Sequence, residues 1–308
     1  MTRVVCAGEC MVELRENGID SFARSYAGDV YNTAVYLKRS LPEAEVQLLS
    51  ATGDDALSDA MRAAWHAESI DATLAFRVSG ATPGLYIIET DASGERRFHY
   101  WRKESAARCW WELLGQRGEA VLRGCDVLYL SGVSLAILPP ADRAQALLLL
   151  ERLRDQVGII AFDPNVRPSL WADVREARST LRTALSLCRI ALPSRDDLRW
   201  LFELERPAAQ ADRLRELGVR EFALTLGADG ALVTCDEELV HMESPQPDRV
   251  IDTSGAGDAF NGAYLAERLR GRGPADAARR GLALAARVVA HPGAIIPAAL
   301  SHGASENS

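Results

Sequence analysis

Lysine is almost absent from this 308-residue chain: Lys38 and Lys103 are the only two, and arginine carries the remaining positive charge. The net charge is −8 and the pI near 5.3, which argues against general affinity for nucleic acid or anionic membranes. An anionic ligand would need local basic groups. Also missing is any uninterrupted apolar run of about 18 residues, so no membrane-spanning helix is expected. Glu9 and Glu13 interrupt the first apolar run, which speaks against a signal peptide. The six cysteines (Cys6, Cys10, Cys109, Cys125, Cys188, Cys235) show no Cys-x-x-Cys or zinc spacing. They read as reduced thiols of a cytoplasmic protein. His66, His99, His241 and His291 stand alone and read as packing or surface residues. No Gly-Lys dipeptide occurs, which excludes a Walker A loop.

What is present is an ordinary globular composition, 48% hydrophobic and 25% charged. Short apolar runs alternate with amphipathic stretches. Strands are expected at 4–7, 46–51, 127–131, 159–163, 190–192 and 221–226. Helices are expected at 32–40, 57–67, 141–156, 174–188, 195–202, 208–217, 256–270 and 274–290. A hairpin is expected from 231–235 and 239–242 across Asp236-Glu237. This rhythm predicts a mostly parallel sheet covered on both faces. From Ala72 to Arg102 the rhythm breaks. Leu85–Thr90 and Arg96–Tyr100 flank a turn at Asp91-Ala92-Ser93-Gly94 and read as a hairpin. Glu13–Ala27 is its expected partner, giving a small β appendage of the kind that serves as a lid. The Trp110-Trp111 pair reads as core or interface.

One segment carries chemistry. Asp252-Thr253-Ser254-Gly255-Ala256-Gly257-Asp258 is a glycine-rich turn running into a helix that begins near Ala256. Uncovered backbone N–H groups at a helix N-terminus make a place for phosphate. Asp258 would sit beside it. A glycine turn with an acidic first-turn residue is also an ordinary helix start. Phe260 stands where a Rossmann fingerprint needs its third glycine, so a dinucleotide enzyme is disfavoured.

Several spaced stretches together resemble the ribokinase-like (pfkB) carbohydrate kinases, and within them those acting on 2-keto-3-deoxygluconate. They are Gly8–Leu14, Ala27-Gly28-Asp29-Val30-Tyr31-Asn32-Thr33-Ala34, Pro83–Thr90, Tyr100-Trp101-Arg102, Ser131–Leu138, Asp252–Asp258 with Gly262-Ala263-Tyr264, and Gly293–Pro297. The likeness spans nearly everything before the tail. It implies a three-layer α/β/α sandwich over residues 1–300. A β lid from about 13–27 and 72–102 is implied as well, with 301–308 a disordered tail.

The resemblance also implies roles. Asp258 would be the catalytic base, and the N–H groups of Gly255, Ala256 and Gly257 the anion hole. A free aspartate titrates near ~4, and the helix terminus should keep Asp258 ionised. Gly28, Asp29, Asn32, Tyr86, Tyr100, Arg102 and Arg167 would bind the acceptor, the two arginines selecting a carboxylate, with the phosphate as the alternative target of Arg167. Asn165, Ser194, Thr225, Gly227 and Gly230 would bind ATP. Many relatives carry Asn-x-x-Glu at Ser194–Asp197; here Asp197 would reach magnesium through water. A monovalent cation near Asp252 and 290–294, and a homodimer through the lid, are family features. The expected reaction is ATP-dependent phosphorylation of 2-keto-3-deoxygluconate at its 6-hydroxyl. Two alternatives stay open: a fructokinase or ribokinase of a neutral sugar, and a non-catalytic sugar sensor on the same fold.

Overall fold

Strand β1 (Arg3–Ala7) sends Val5 and Ala7 into one apolar core and Val4 and Cys6 into another. Both faces of the strand are buried, as a covered parallel sheet requires. The computed structural model describes residues 1–18, 21–90, 96–235 and 238–301. The other strands are β2 (Met11–Glu16), β3 (Phe22–Ala27), β4 (Glu45–Thr52), β5 (Ala75–Arg77), β6 (Gly84–Thr90) and β7 (Arg96–Trp101). They continue with β8 (Val127–Ser131), β9 (Ile159–Asp163), β10 (Ile190–Ala191), β11 (Glu221–Thr225), β12 (Ala231–Cys235) and β13 (Glu238–Met242).

Among the described residues nine strands form the large sheet, in the order β13-β12-β11-β10-β9-β8-β1-β4-β5. All pairs from β11 to β5 are parallel; β12 and β13 add antiparallel to β11 and to each other. One core packs Leu149, Leu181, Leu198 and Leu214 from helices Pro140–Leu153, Val174–Leu187, Arg195–Phe202 and Pro207–Glu216 onto this sheet. The opposite core packs Tyr31, Trp65, Phe260 and Leu282 from helices Asp29–Ser40, Ala56–Ala67, Ala256–Leu269 and Pro274–Val288. The result is a three-layer α/β/α arrangement. Proline in the first turn suits the starts at Pro140, Pro207 and Pro274, where an N–H would have no helical acceptor.

The smaller sheet has the order β3-β2-β6-β7. Its β2–β6 pair is parallel, and the outer pairs are antiparallel. Register sets Glu13 beside Tyr86, and Tyr86 beside Tyr100.

Strands 127–131 and 159–163 have the expected limits, and the remaining long elements agree within a few residues. One correction concerns the lid. Ala75–Arg77 joins the edge of the large sheet beside β4 instead of the small sheet. Three residues are too few to show a period, and their neighbours in sequence do belong to the small sheet. The short helices between Ala106 and Leu122, and the helix Gly132–Ala136, had no periodic signal either. Trp110 is core, meeting Trp111 edge-on at 5.8 Å. The turns at 91–94 and 236–237 and the tail from 302 lie outside the described residues. No helix among those described is long and apolar enough to cross a membrane.

Candidate active site

Two helix N-termini face one another beyond the C-terminal ends of the parallel strands. Helix Ala256–Leu269 starts after Gly255, which has φ 73° and lies against the 290–296 segment. A Cβ there would come within 2.3 Å of the Ala294 carbonyl oxygen, so only glycine fits. Asp252 ties the same elements together, accepting from Ser254 N at 2.9 Å and Gly293 N at 2.7 Å. Helix Asp29–Ser40 starts after Gly28, whose Cβ would lie 2.4 Å from the Glu9 carbonyl oxygen. Asn32 joins the two helix ends: its Nδ2 donates to Asp258 Oδ2 at 2.8 Å, while its Oδ1 accepts Gly28 N at 3.3 Å.

Asp258 departs from the sequence-based expectation. Burial raises its pKa to about 7, and the nearby Asp29 carboxylate adds to the rise. The Asn32 hydrogen bond and the Arg167 charge act the other way and are outweighed. A helix N-terminus alone would have favoured the ionised form. The fold adds desolvation and a like charge, and the result is a base poised near neutrality.

Three cavities run in series past this turn. The first, about 610 Å³, is lined by Gly28, Asp29, Asn32, Tyr86, Tyr100, Arg102, Asn165, Arg167, Gly255 and Asp258, among others. The second, about 260 Å³, shares Asn165, Arg167, Gly255 and Asp258 with it, and adds Asp163, Ser194, Asp197, Thr225 and Gly257. The third, about 270 Å³, shares Thr225 and Gly257 with the second. It continues to Gly227 and Gly230 and is walled by Val250, Leu282, Ala285 and Val289. Ala256 faces this third cavity. All the expected site residues therefore line one or another of these three adjoining cavities.

Local bonds refine several expectations. Asn165 sits at φ 32°, a strained position for a residue other than glycine, and is fixed by Asp163 Oδ1 accepting its N–H at 2.9 Å. Its Nδ2 donates to Asp29 Oδ2 at 2.6 Å, and the residue borders both the first and the second cavity. Asp197 caps the 195–202 helix, with Oδ2 accepting Ser194 N and Oγ, and Oδ1 accepting Val166 N at 2.6 Å. That pair stands as a capping box. Arg102 is ion-paired to buried Glu9. Tyr86 donates its hydroxyl to Glu13. Arg167 makes no ion pair among the described residues; its Nη1 donates to the Val166 carbonyl at 3.0 Å.

Similarity settles the family. A profile of the pfkB family carbohydrate kinases matches residues 1–300. This chain belongs to the pfkB family. It is 41% identical over 303 residues to 2-dehydro-3-deoxygluconokinase of Escherichia coli K12, covering 96% of the chain and 97% of that protein. The same-named protein of Dickeya dadantii is 40% identical, with 96% of each covered. Among solved structures, a PfkB protein from Polaromonas sp. JS666 matches with TM-score 0.84 and 27% identity, covering 97% of this chain and 99% of that one. Aminoimidazole riboside kinase from Salmonella enterica, complexed with aminoimidazole riboside and an ATP analogue, matches with TM-score 0.83 and 25% identity. That match covers 98% of this chain and 96% of the other.

Several further residues sit at these cavities with no motif of their own to mark them. Glu9 and Lys103 line the first cavity. Lys103 could have been noticed as one of two lysines, next to Arg102. Asn261, 2% exposed, donates to Asp163 Oδ2 at 2.8 Å and to the Tyr129 hydroxyl at 3.2 Å. Asp163 itself is pushed well above the usual carboxylate range by burial and by Asp197, Asp258 and Asp29. Among the described residues no group of three or more His, Cys, Asp or Glu forms a metal cage.

Proposed function

We propose that the protein transfers the γ-phosphoryl group of ATP to the 6-hydroxyl of 2-keto-3-deoxygluconate. The full-length likeness to 2-dehydro-3-deoxygluconokinases supports this reading. The observation that carries it is the position of the Gly255–Asp258 turn, on the shared wall between the first and second cavities. The first cavity takes the acid, held by Gly28, Asp29, Asn32, Tyr86, Tyr100, Arg102 and Arg167. The second takes the phosphates beside Asn165 and Ser194. The third takes the base, on an aliphatic wall beyond Thr225, Gly227 and Gly230.

Asp258 orients the acceptor hydroxyl and accepts its proton. The hydroxyl oxygen then bonds to the γ-phosphorus as the bond to the ADP oxygen breaks. A carboxylate with a pKa of about 7 is half ionised near neutral pH, which suits that role. The N–H groups of Gly255, Ala256 and Gly257 lie in a first turn without a side-chain cap, Ala256 N making only a long 3.4 Å bond to the Thr253 carbonyl, and would receive the charge on the transferring group.

Magnesium fits the donor set. Asp29, Asp163, Asp197 and Asp258 crowd the middle of the cleft, and their mutual repulsion is visible in the raised Asp163. A divalent ion bound to the triphosphate, with Asp163 and Asp197 reaching it through water, would offset that charge. A monovalent cation would be held by buried Asp252 and the 290–294 segment, stiffening the turn. The small sheet would close over the acceptor and pair two protomers. Phe22, Phe98, Tyr100 and Trp101 are 42–59% exposed on it. No disulfide forms among the described residues, which accords with action in the cytoplasm.

The test is a side-by-side assay with the keto-deoxy acid, fructose and ribose. The acid should give the highest kcat/KM; preference for a neutral sugar would refute the substrate. Asp258→Asn should reduce turnover by roughly 10²–10⁴-fold while ATP still binds by calorimetry. Unchanged turnover would refute Asp258 as the base, and no turnover in the unmodified protein would favour the sensor alternative.

A further inference from the structure

Glu9 follows β1 and is 1% exposed, yet it forms part of the wall of the first cavity. A buried carboxylate is costly unless paired and hydrogen-bonded. Here both oxygens are engaged from one short stretch of chain. Arg102 Nη2 ion-pairs with Oε2, and Ser105 Oγ donates to Oε1 at 2.6 Å. Burial pushes the Glu9 carboxyl up, and Arg102 is the largest influence opposing it. The Glu9–Arg102 unit therefore brings no net charge to the cavity. Arg102 still faces the cavity; its Nε is buried and, among the described residues, has no hydrogen-bond partner. Arg167 borders the same cavity and has no carboxylate paired to it among the described residues.

An acceptor carboxylate at Arg102 would add a second negative charge beside Glu9, leaving a cluster of net −1. The same carboxylate at Arg167 would meet a guanidinium with no carboxylate bonded to it among the described residues, only the Asp258 charge acting on it through space. Like charges in a cavity shielded from water repel strongly. We propose that Glu9 is a specificity-determining positioning residue: it cancels the charge of Arg102, turns that guanidinium into a hydrogen-bonding fork for neutral acceptor oxygens, and leaves the carboxylate to Arg167. This rests on the acid-kinase reading above.

The experiment compares two acceptors, the keto-deoxy acid and its analogue with a hydroxymethyl in place of the carboxylate. The readout is the acid-to-neutral ratio of kcat/KM. Glu9→Gln keeps the side-chain size, and its amide can still meet Arg102 and Ser105. Removing the negative charge should raise the ratio roughly tenfold, mainly through a lower KM for the acid. An unchanged or lower ratio would overturn the proposal. The double variant Glu9→Gln, Arg102→Gln removes both charges without leaving either buried alone. Its ratio should stay within about twofold of the parent, because the pair was neutral. A collapse of the ratio would put the carboxylate on Arg102 and overturn the proposal independently. A ratio below one in the unmodified enzyme would instead refute the acid-kinase reading, and this proposal with it.

Discussion

Replacing Asn32 by leucine should move the acidic limb of the pH–rate profile to higher pH. Asn32 Nδ2 donates to Asp258 Oδ2 at 2.8 Å and is the foremost influence holding that carboxyl down. Leucine has similar bulk and no donor. A hydrogen bond to a charged group is worth about 1.5–3 kcal/mol. One pKa unit corresponds to about 1.4 kcal/mol, so the loss should raise Asp258 by about one to two units. From about 7 in the parent, the limb should move to ~8–9. At neutral pH the ionised fraction would fall from about one half to between roughly one tenth and one hundredth. Activity should drop five- to fifty-fold there, by the same arithmetic, and recover in alkaline buffer. The assay is kcat/KM of the acid against pH, which reports the free enzyme. Asn32 also lines the acceptor cavity, so some loss at all pH values is expected. The displaced limb is the decisive reading. A limb that stays in place, with a loss independent of pH, would refute the assignment of Asp258 as the titrating base.

Other outcomes follow from the same geometry. Asp29→Asn should shift the limb the opposite way, below neutral pH, because the Asp29 charge raises the Asp258 carboxyl; a rise on this change would contradict the electrostatic account. Gly255→Ala should lower stability in urea melts by at least about 1 kcal/mol, since the new methyl would meet the Ala294 oxygen at φ 73°; an equally stable variant would show that the turn adapts.

Much of the fold can be read from local pattern. Val127–Ser131 and Ile159–Asp163 are short apolar runs buried on both faces, and such runs announce central parallel strands. Ala75–Arg77 is a three-residue edge strand whose partner lies in β4, so nothing local distinguishes it from the nearby lid. The site residues are legible as identities, because each stands in a recognisable stretch. Their chemical state is not. Asn32 and Asp258 are 226 residues apart, and Glu9 and Arg102 are 93 apart. The ionisation of Asp258 and the neutralisation of Arg102 arise only when the chain brings these pairs together. Asn165 illustrates the same limit: its pattern with Asp163 and Arg167 is readable in the sequence, but its bond to Asp29 is not.

That bond carries a thermodynamic obligation. Asn165 borders both the first and the second cavity, proposed for acceptor and phosphates, and it holds Asp29 at 2.6 Å across the boundary. A ligand that repositions Asp29 must do work on Asn165, and a nucleotide that engages Asn165 must do work on Asp29. Binding free energies are state functions, so the factor by which nucleotide alters acceptor affinity equals the factor by which acceptor alters nucleotide affinity. Asn165→Ala should weaken both halves of that reciprocity together.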